Sequence, residues 1–420
     1  MTRARHSGFA RLTQDEANAI TARHEMLYSG RMGGARAVFA FCDLSGLDLS
    51  GRNLSDADFT GAVLEEINLS GARLDSASFF GADLRRCNMA KASMRRVDLR
   101  GASLRGANLI GADMFEADLR EGTIAEKDKY GNLKVLKHDL GPSELPAALL
   151  SSANLERAKM TGAIAIQADF TDAMMKGCRL TRANLRQARL TGANLENADL
   201  TGCNLTGADL QGAILVGARL EHATIHGADL SETLTEKLAP DADLADKIES
   251  LLERHARWAK TEGRDGKPAD LSGMDLRKVK RLAHRTLTAL IAPGAMLYGV
   301  NLEGASLQGS NLGGADLRSA KLGGADLRGC NLSGALLNHA DLSNSKLGPL
   351  AISATRLLSA RLDSAEARYA CFRGADMRKV RLSGADLCYA DLREADMRDA
   401  ETESADMSGA KLPMEFAKSA

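Results

Sequence analysis

Cysteine and histidine are the side chains of this sequence with the widest chemistry, because they bind metals and act as nucleophiles or general bases. The chain has seven cysteines and eight histidines, and no CxxC pair of the kind that binds zinc. His222 and His226 are four residues apart, but we expect them on different faces. No HExxH, phosphate-loop, nucleophile-elbow or dinucleotide-binding motif occurs. We therefore predict no enzyme activity, no cofactor and no metal site.

A period of five residues runs through most of the chain and must position these side chains. A small residue is followed by Asn or Asp and then by a central Leu, as in the run that begins at Gly192. The central positions run from Phe39 to Ile124, from Leu155 to Leu230 and from Leu297 to Leu412. A period of five matches neither an ordinary helix nor an ordinary strand. We predict a chain that turns a corner in each unit, with Leu and Ala inward, and buries each turn against its neighbours.

The cysteines follow this period. Five of them replace Ala at the inward small-residue position, where packing alone explains them: Cys42, Cys87, Cys178, Cys203 and Cys330. Cys371 and Cys388 fall outside that position, and we predict that they are accessible thiols.

The repeated A(D/N)LXX unit resembles the pentapeptide-repeat family. The resemblance implies an all-β solenoid, a right-handed quadrilateral β-helix with four units per coil, here interrupted by short helical and loop insertions. A core of Leu and Ala also accounts for the composition, which is 44% hydrophobic but only 4% aromatic. Some members of the family protect DNA gyrase and topoisomerase IV from quinolones by mimicking duplex DNA, which makes a topoisomerase one partner to consider.

Two amphipathic helices are predicted outside the repeats, one at 14–29 before the first block and one between the second and third blocks. Thr13 and Glu16 form a capping-box pattern at the start of the first, and the second spans residues 241–261. Similar sequences follow both helices, at 42–49 and 269–276, so we predict two copies of one plan, a helix and then repeats. We expect the helices to cover the open ends of the repeats; for the second, Trp258 favours the alternative of a partner anchor. Residues 279–294 suggest a further short helix.

The predicted organisation has seven segments. They are a capping helix at 1–34, repeat blocks at 35–124, 150–232 and 297–412, a loop or hairpin insertion at 125–149, a helical insertion at 233–296 with a short repeat segment at 269–278, and a tail at 413–420.

Charge patterning suggests where a partner binds. The 55 basic and 55 acidic residues balance, which disfavours direct nucleic-acid binding by the whole protein. A basic run nevertheless contains Arg85, Arg86, Arg95, Arg96, Arg100 and Arg105. Residues twenty apart should stack, which groups Arg318, Arg378 and Arg398 in one column and Tyr369 with Tyr389 in an aromatic ladder. These residues form either an interaction surface or a solvated face neutralised by Asp on neighbouring columns.

We predict a non-enzymatic solenoid scaffold that binds an unidentified protein partner through its faces and insertions. The alternative is a DNA-mimicking topoisomerase-binding protein, against which the near-neutral repeat blocks count; a remote alternative is an enzyme in the 233–296 insertion. No run of 18 apolar residues indicates a membrane span, and the N-terminal segment does not resemble a signal peptide. With scattered cysteines, this predicts a cytoplasmic protein. The oligomeric state stays open.

Overall fold

The computed structural model describes residues 9–122, 125–127, 133–135, 142–231, 233–235, 242–277, 279, 282–353 and 355–413. Its named elements are β1 (Ala10–Arg11), α1 (Gln14–Tyr28), β2 (Cys42–Asp43), β3 (Ala125–Lys127), β4 (Leu133–Val135), α2 (Ala242–Lys260), β5 (Leu350–Ala351) and β6 (Leu357–Leu358). β1 pairs in parallel with β2, while β3 with β4 and β5 with β6 are antiparallel pairs.

Most of the chain is a ladder of parallel bridges between residues twenty apart. Val38 bridges to Asp58, and Asp58 bridges to Ser78. Three more bridging positions lie between Val38 and Asp58 in sequence, at residues 43, 48 and 53. Each twenty-residue turn therefore meets the next at four positions, one in each five-residue unit. The backbone bonds are short: the N–H of Leu44 donates to the Val63 carbonyl at 2.8 Å.

The inward positions form the core that the period predicts. Ala193 and Leu195 are both fully buried, as are most residues at equivalent positions. Three of the few aromatic residues stack one above another at the central position. The ring centroids of Phe39 and Phe59 are 5.0 Å apart and those of Phe59 and Phe79 are 4.6 Å apart.

The corner between units explains the recurrent Asp and Asn. At one corner the N–H of Ala57 donates to the Leu54 carbonyl at 3.1 Å, and Asp56 between them has φ 58°. A positive φ at the third turn residue favours Gly, which occupies many equivalent positions. The carboxylate before each centre accepts from the backbone two residues on, as Asp48 Oδ1 does from the Ser50 N–H at 2.8 Å.

The chain divides into two units, Met1–Lys237 and Leu238–Ala420. Each has its own buried core, from Ala17 to Leu215 in the first and from Ile248 to Met397 in the second.

Helix α1 lies against the first turn of the first unit. It begins with the predicted capping box, in which Thr13 and Glu16 each accept a hydrogen bond from the other's backbone N–H. The Gln14 amide donates to the Asp48 carbonyl at 2.8 Å, and Arg52 pairs with Glu25 at 2.9 Å. These contacts join α1 to the turn in which the ladder begins.

Three sequence expectations need correction. The insertion predicted at 125–149 ends earlier, because Glu144 bridges to Ser103 and Leu149 to Asn108. The repeat therefore crosses the insertion and resumes in the same unit. Pro146 made this part of the sequence look unlike the repeat. Its carbonyl nevertheless accepts a hydrogen bond from the Gly106 N–H, and it stands at a turn position that suits proline.

A short helix was predicted at 279–294, but residues 282–294 carry the bridges and turns of the repeat instead. Thr286 bridges to Ser306, and Leu282 and Leu287 are buried five residues apart. The helical prediction rested on four apolar residues whose spacing is compatible with both periods: Leu282, Leu287, Leu290 and Ile291.

The third correction falls within the block predicted at 297–412. Asn331 bridges to Arg361, thirty residues on, so ten extra residues leave the ladder here and include the β5–β6 hairpin. Ile352 and Leu357, predicted as inward centres, are 53% and 52% exposed. Ten residues equal two units, so the sequence period continues unchanged through the insertion.

Candidate interaction surfaces

The cysteines predicted to be inward are packing residues. Cys87, Cys178, Cys203 and Cys330 are buried, and Cys42, in the first turn, is half-buried. Burial raises the pKa of the Cys203 thiol to about 12, and the thiol donates to the Leu180 carbonyl at 2.7 Å.

The prediction of two accessible thiols is wrong for Cys388. Its side chain is only 4% exposed, whereas Cys371 is half-buried. Burial and hydrogen bonding with the stacked carboxylates Asp386 and Asp406 raise the pKa of Cys388 to about 12. No group of His, Cys, Asp or Glu that could hold a metal ion occurs among the described residues.

Two histidines hold the helices to the repeats. His24 Nδ1 accepts from the Ala37 N–H at 2.9 Å, and His255 Nδ1 accepts from the Ala269 N–H at 3.0 Å. Both side chains are fully buried, and burial lowers the pKa of each below its usual value. A charged imidazole could not accept these bonds, so both sites require the neutral form.

The basic run of the first unit is largely neutralised by carboxylates of the same turn and of neighbouring turns. Arg85 pairs with Asp83 at 2.6 Å and Arg100 with Asp98 at 2.7 Å. The other partners lie further away in sequence. Arg86 pairs with Glu65 and Glu66, Arg95 with Asp113 at 2.8 Å, and Arg105 with Glu144 at 3.3 Å. Arg96 is exposed and makes no ion pair within the described part of the chain.

The arginines of the second unit follow the same pattern. Arg318, Arg378 and Arg398 each hydrogen-bond the carboxylate two residues earlier through two guanidinium nitrogens. Hydrogen bonds from Arg378 and Arg398 lower the pKa of Asp376 and Asp396 respectively. The Arg318 side chain is only 8% exposed, and the Arg398 side chain is 69% exposed. The signal for this pairing is present in sequence as Asp-x-Arg.

The predicted aromatic ladder is formed and is longer than expected. The rings of Tyr369 and Tyr389 stack with centroids 5.0 Å apart and planes 4° from parallel. His339 extends the stack below Tyr369 at 5.2 Å, although it is thirty residues away because the β5–β6 insertion intervenes. Trp258 is half-buried beside His255, with ring centroids 5.6 Å apart.

A groove on the first unit was not predicted. Two adjoining concavities of about 630 and 470 Å³ share Arg100 in their walls. Five of their exposed cations are Arg96, Arg157, Lys159, Arg179 and Arg182, and we call the surface that these five form the cationic groove. Arg120 is exposed too, but it pairs with Asp118 at 2.7 Å. Arg157 and Lys159 lie forty-one residues from their stacking partners Glu116 and Asp118, rather than twenty, because an insertion separates these two turns in sequence. Columns counted twenty apart in sequence therefore do not join Arg96 and Arg100 to Arg157 and Lys159, although Lys159 and Arg179 are themselves twenty apart.

Comparison with known proteins places the repeat in a family. The family model described as pentapeptide repeats matches residues 53–90, 82–120, 148–187, 168–207, 178–215, 203–233, 295–334, 327–347 and 375–412. These matches cover more than half of the chain. The chain belongs to the pentapeptide-repeat family. A comparison of this pentapeptide-repeat chain with the curated proteins found no significant match.

Solved structures of other pentapeptide-repeat proteins show limited likeness. HetL, involved in heterocyst differentiation regulation in the cyanobacterium Nostoc sp. strain PCC 7120, is 23% identical, with a TM-score of 0.25, covering 77% of this chain and 90% of HetL. Rfr23 from the cyanobacterium Cyanothece 51142 is 29% identical over 33% of this chain and 91% of its own, with a TM-score of 0.24. Full-length QnrB1, a plasmid-mediated fluoroquinolone resistance protein, is 18% identical over 51% and 97%, with a TM-score of 0.20.

Proposed function

We propose that this pentapeptide-repeat chain is a non-enzymatic scaffold that binds a partner protein through the faces of its repeat. The observation that carries the proposal is the regular surface of each unit. Bridges every twenty residues hold side chains in fixed columns, and pairs such as Arg318 with Asp316 order long side chains at the corners. A large surface that is ordered before binding loses little conformational entropy when a partner docks.

For the fold, we propose that each unit is a right-handed quadrilateral β-helix. Each twenty-residue turn has four bridging positions, and each five-residue repeat has one corner. Both observations support a four-sided cross-section. We further propose that α1 and α2 cap the first turns of their units. Contacts of His24 with Ala37 and of His255 with Ala269 support this role.

The surfaces that we propose for binding are the arginine columns, the aromatic ladder and Trp258. We propose the cytoplasm as the compartment in which the protein acts. Neither helix is long and apolar enough to cross a membrane, as far as the described residues go. The stacked rings of Tyr369 and Tyr389 are half-buried, so their edges are available to a partner. The paired arginines contribute orientation more than net charge.

Affinity purification with quantitative mass spectrometry tests the scaffold function. Tagged full-length chain is the bait, and an unrelated repeat protein of similar size is the control. We expect at least one protein to be enriched in near-stoichiometric amount with this chain alone. Equal recovery of every protein by both baits would contradict the proposal.

A topoisomerase is the second candidate partner. Family membership supports it, as does the β5–β6 hairpin, whose exposed Ile352 and Leu357 could be buried by a large enzyme. The paired arginine columns count against mimicry of DNA, which needs a dense negative surface. A supercoiling assay with purified gyrase, with and without a quinolone, is the test. If the chain at micromolar concentration neither inhibits nor protects gyrase, this candidate is wrong.

A further inference from the structure

Two cations of the cationic groove are stacked directly on each other. Lys159 and Arg179 bridge in parallel on adjacent turns, so their backbones are about 4.8 Å apart. Like charges on facing residues of neighbouring strands destabilise a sheet. Both side chains are exposed, and neither makes an ion pair within 4.0 Å in the described part of the chain. An anionic group bound between them would remove this repulsion.

The nearest acids of the same column are already engaged. Asp118 bridges to Lys159, and its field acts on that residue, but Arg120 hydrogen-bonds both of its carboxylate oxygens, at 2.9 and 2.7 Å. On the other side of the pair, Asp199 bridges to Arg179, and Arg219 approaches Asp199 at 3.7 Å. The stacked cations are therefore only partly compensated by the protein's own carboxylates.

Two glycines in the lining leave open space beside this pair. A side chain at Gly162 would meet no atom within 4 Å, and one at Gly177 would meet only the aliphatic part of Arg157. Arg157 reaches Glu116 only at 3.8 Å, and its guanidinium lies 5.8 Å from the Phe115 ring centroid. Arg182, which lines the adjoining concavity, is also exposed. Cations thus surround a depression that extended chain could enter.

We propose that the cationic groove binds an acidic segment of a partner protein, an inference that rests on the scaffold function and names the chemistry of its partner. A peptide suits the charges better than a nucleic acid does. Asp98, Glu116 and Glu121 line the same concavities, and a uniformly charged phosphate backbone running along them would be repelled there. A peptide can place carboxylates at Lys159 and Arg179 and neutral residues beside those acids.

Fluorescence anisotropy with defined probes tests the proposal on the full chain. The probe is a fluorescein-labelled peptide with four consecutive glutamates flanked by Gly and Ser. A second peptide has glutamines in their place, and an oligothymidylate of about ten nucleotides is the nucleic-acid probe. We expect the glutamate peptide to bind, with affinity that falls as salt is added, and the glutamine peptide not to bind.

Charge-matched variants separate a site from general electrostatics. The groove variant is Lys159→Glu/Arg179→Glu/Arg182→Glu, and its control is Arg73→Glu/Arg186→Glu/Arg189→Glu. The control changes three exposed cations of the same unit that lie outside the groove lining. We expect at least about a tenfold loss of peptide affinity in the groove variant and less than about twofold in the control. Corresponding Gln variants, checked by circular dichroism, replace any Glu variant that does not fold.

Three results would overturn the inference. They are no binding of the glutamate peptide by the wild type, an equal loss in both triple variants, and tighter binding of the oligothymidylate with the same dependence on the groove. The scaffold function has a separate readout. A partner that co-purifies equally with wild type and groove variant would refute the groove as its site and leave the scaffold intact.

Discussion

His24 and His255 make the same hydrogen bond at the start of the two units. Each imidazole Nδ1 accepts from the backbone N–H of an alanine that opens the first turn, at 2.9 and 3.0 Å. Each also packs beside an aromatic residue of its own helix, Tyr28 in α1 and Trp258 in α2. An acidic residue of each helix then pairs with an arginine of the repeat, Glu25 with Arg52 and Glu249 with Arg285. This correspondence supports the predicted duplication of one plan, a helix followed by repeats.

Acid should loosen both junctions below about pH 6.5. Burial lowers the pKa of His24 and His255 from 6.5 in the folded state, so the unfolded chain takes up protons first as the pH falls. Stability is therefore complete above the unfolded pKa and falls as the pH drops towards the folded one. We expect His24→Gln/His255→Gln to have a melting temperature that changes less than that of wild type between about pH 7 and pH 5. The exposed His222→Gln is the control; if its profile matches that of the double variant, the junction histidines are not responsible.

Deleting residues 349–358 should leave the second unit folded. Asn331 and Arg361 bridge neighbouring turns although they are thirty residues apart in sequence. Removing ten residues between them restores the spacing of twenty residues that the other turns have. Circular dichroism and a cooperative melt close to that of wild type are the expected results. Deleting residues 349–357 is the control, because nine residues break the register and move inward side chains outward. Equal stability of the two deletions would show that the hairpin is not an in-register insertion.

The same insertion shows where sequence reading succeeds and fails. The period located the core from residues such as Ala193 and Leu195, because a five-residue pattern of small and large apolar positions reflects packing directly. The period could not reveal that Ile352 and Leu357 leave the core, because an insertion of ten residues, or two repeats, leaves the five-residue pattern in phase. It also misread 282–294, where a few leucines satisfy two periods at once.

For the candidate site, sequence analysis found arginines but not their partners. Asp113 and Glu144 reach Arg95 and Arg105 only after the chain has turned, so counting charges near them in sequence overstated the patch. Lys159 and Arg179 of the cationic groove are twenty residues apart and were not singled out, and the extent of the groove was missed for a related reason. Lys159 reaches its stacking partner Asp118 only when the intervening insertion is left out, and the sequence does not mark where that insertion ends.

Removing a buried arginine should cost far more stability than removing an exposed one with the same pairing. The side chains of Arg318 and Asp316 are 8% and 12% exposed, whereas those of Arg398 and Asp396 are 69% and 33% exposed. Arg318→Met leaves a buried carboxylate without its partner guanidinium, for which we expect a loss of about 3–5 kcal/mol. Arg398→Met should cost about 0–1 kcal/mol. Denaturant unfolding measures both, and similar values would contradict the difference in burial.

Thiol labelling should distinguish the two cysteines that lie outside the inward positions. At about pH 8 the folded chain should react with a maleimide at Cys371, while Cys388 should be protected, because it is buried and its pKa is raised to about 12. Peptide mapping by mass spectrometry identifies the labelled residue. Labelling after unfolding in guanidinium is the control, in which both residues should react. Faster modification of Cys388 than of Cys371 in the folded chain would refute the described burial.

The scaffold function is tested most directly by affinity purification with three baits: wild type, the groove variant and its charge-matched control, with protein recovery measured by mass spectrometry. The account predicts a partner recovered in near-stoichiometric amount with wild type and control, and reduced at least about tenfold with the groove variant. A partner retained equally by all three would move the binding surface away from the groove. Recovery of no protein above an unrelated repeat bait would contradict the scaffold itself.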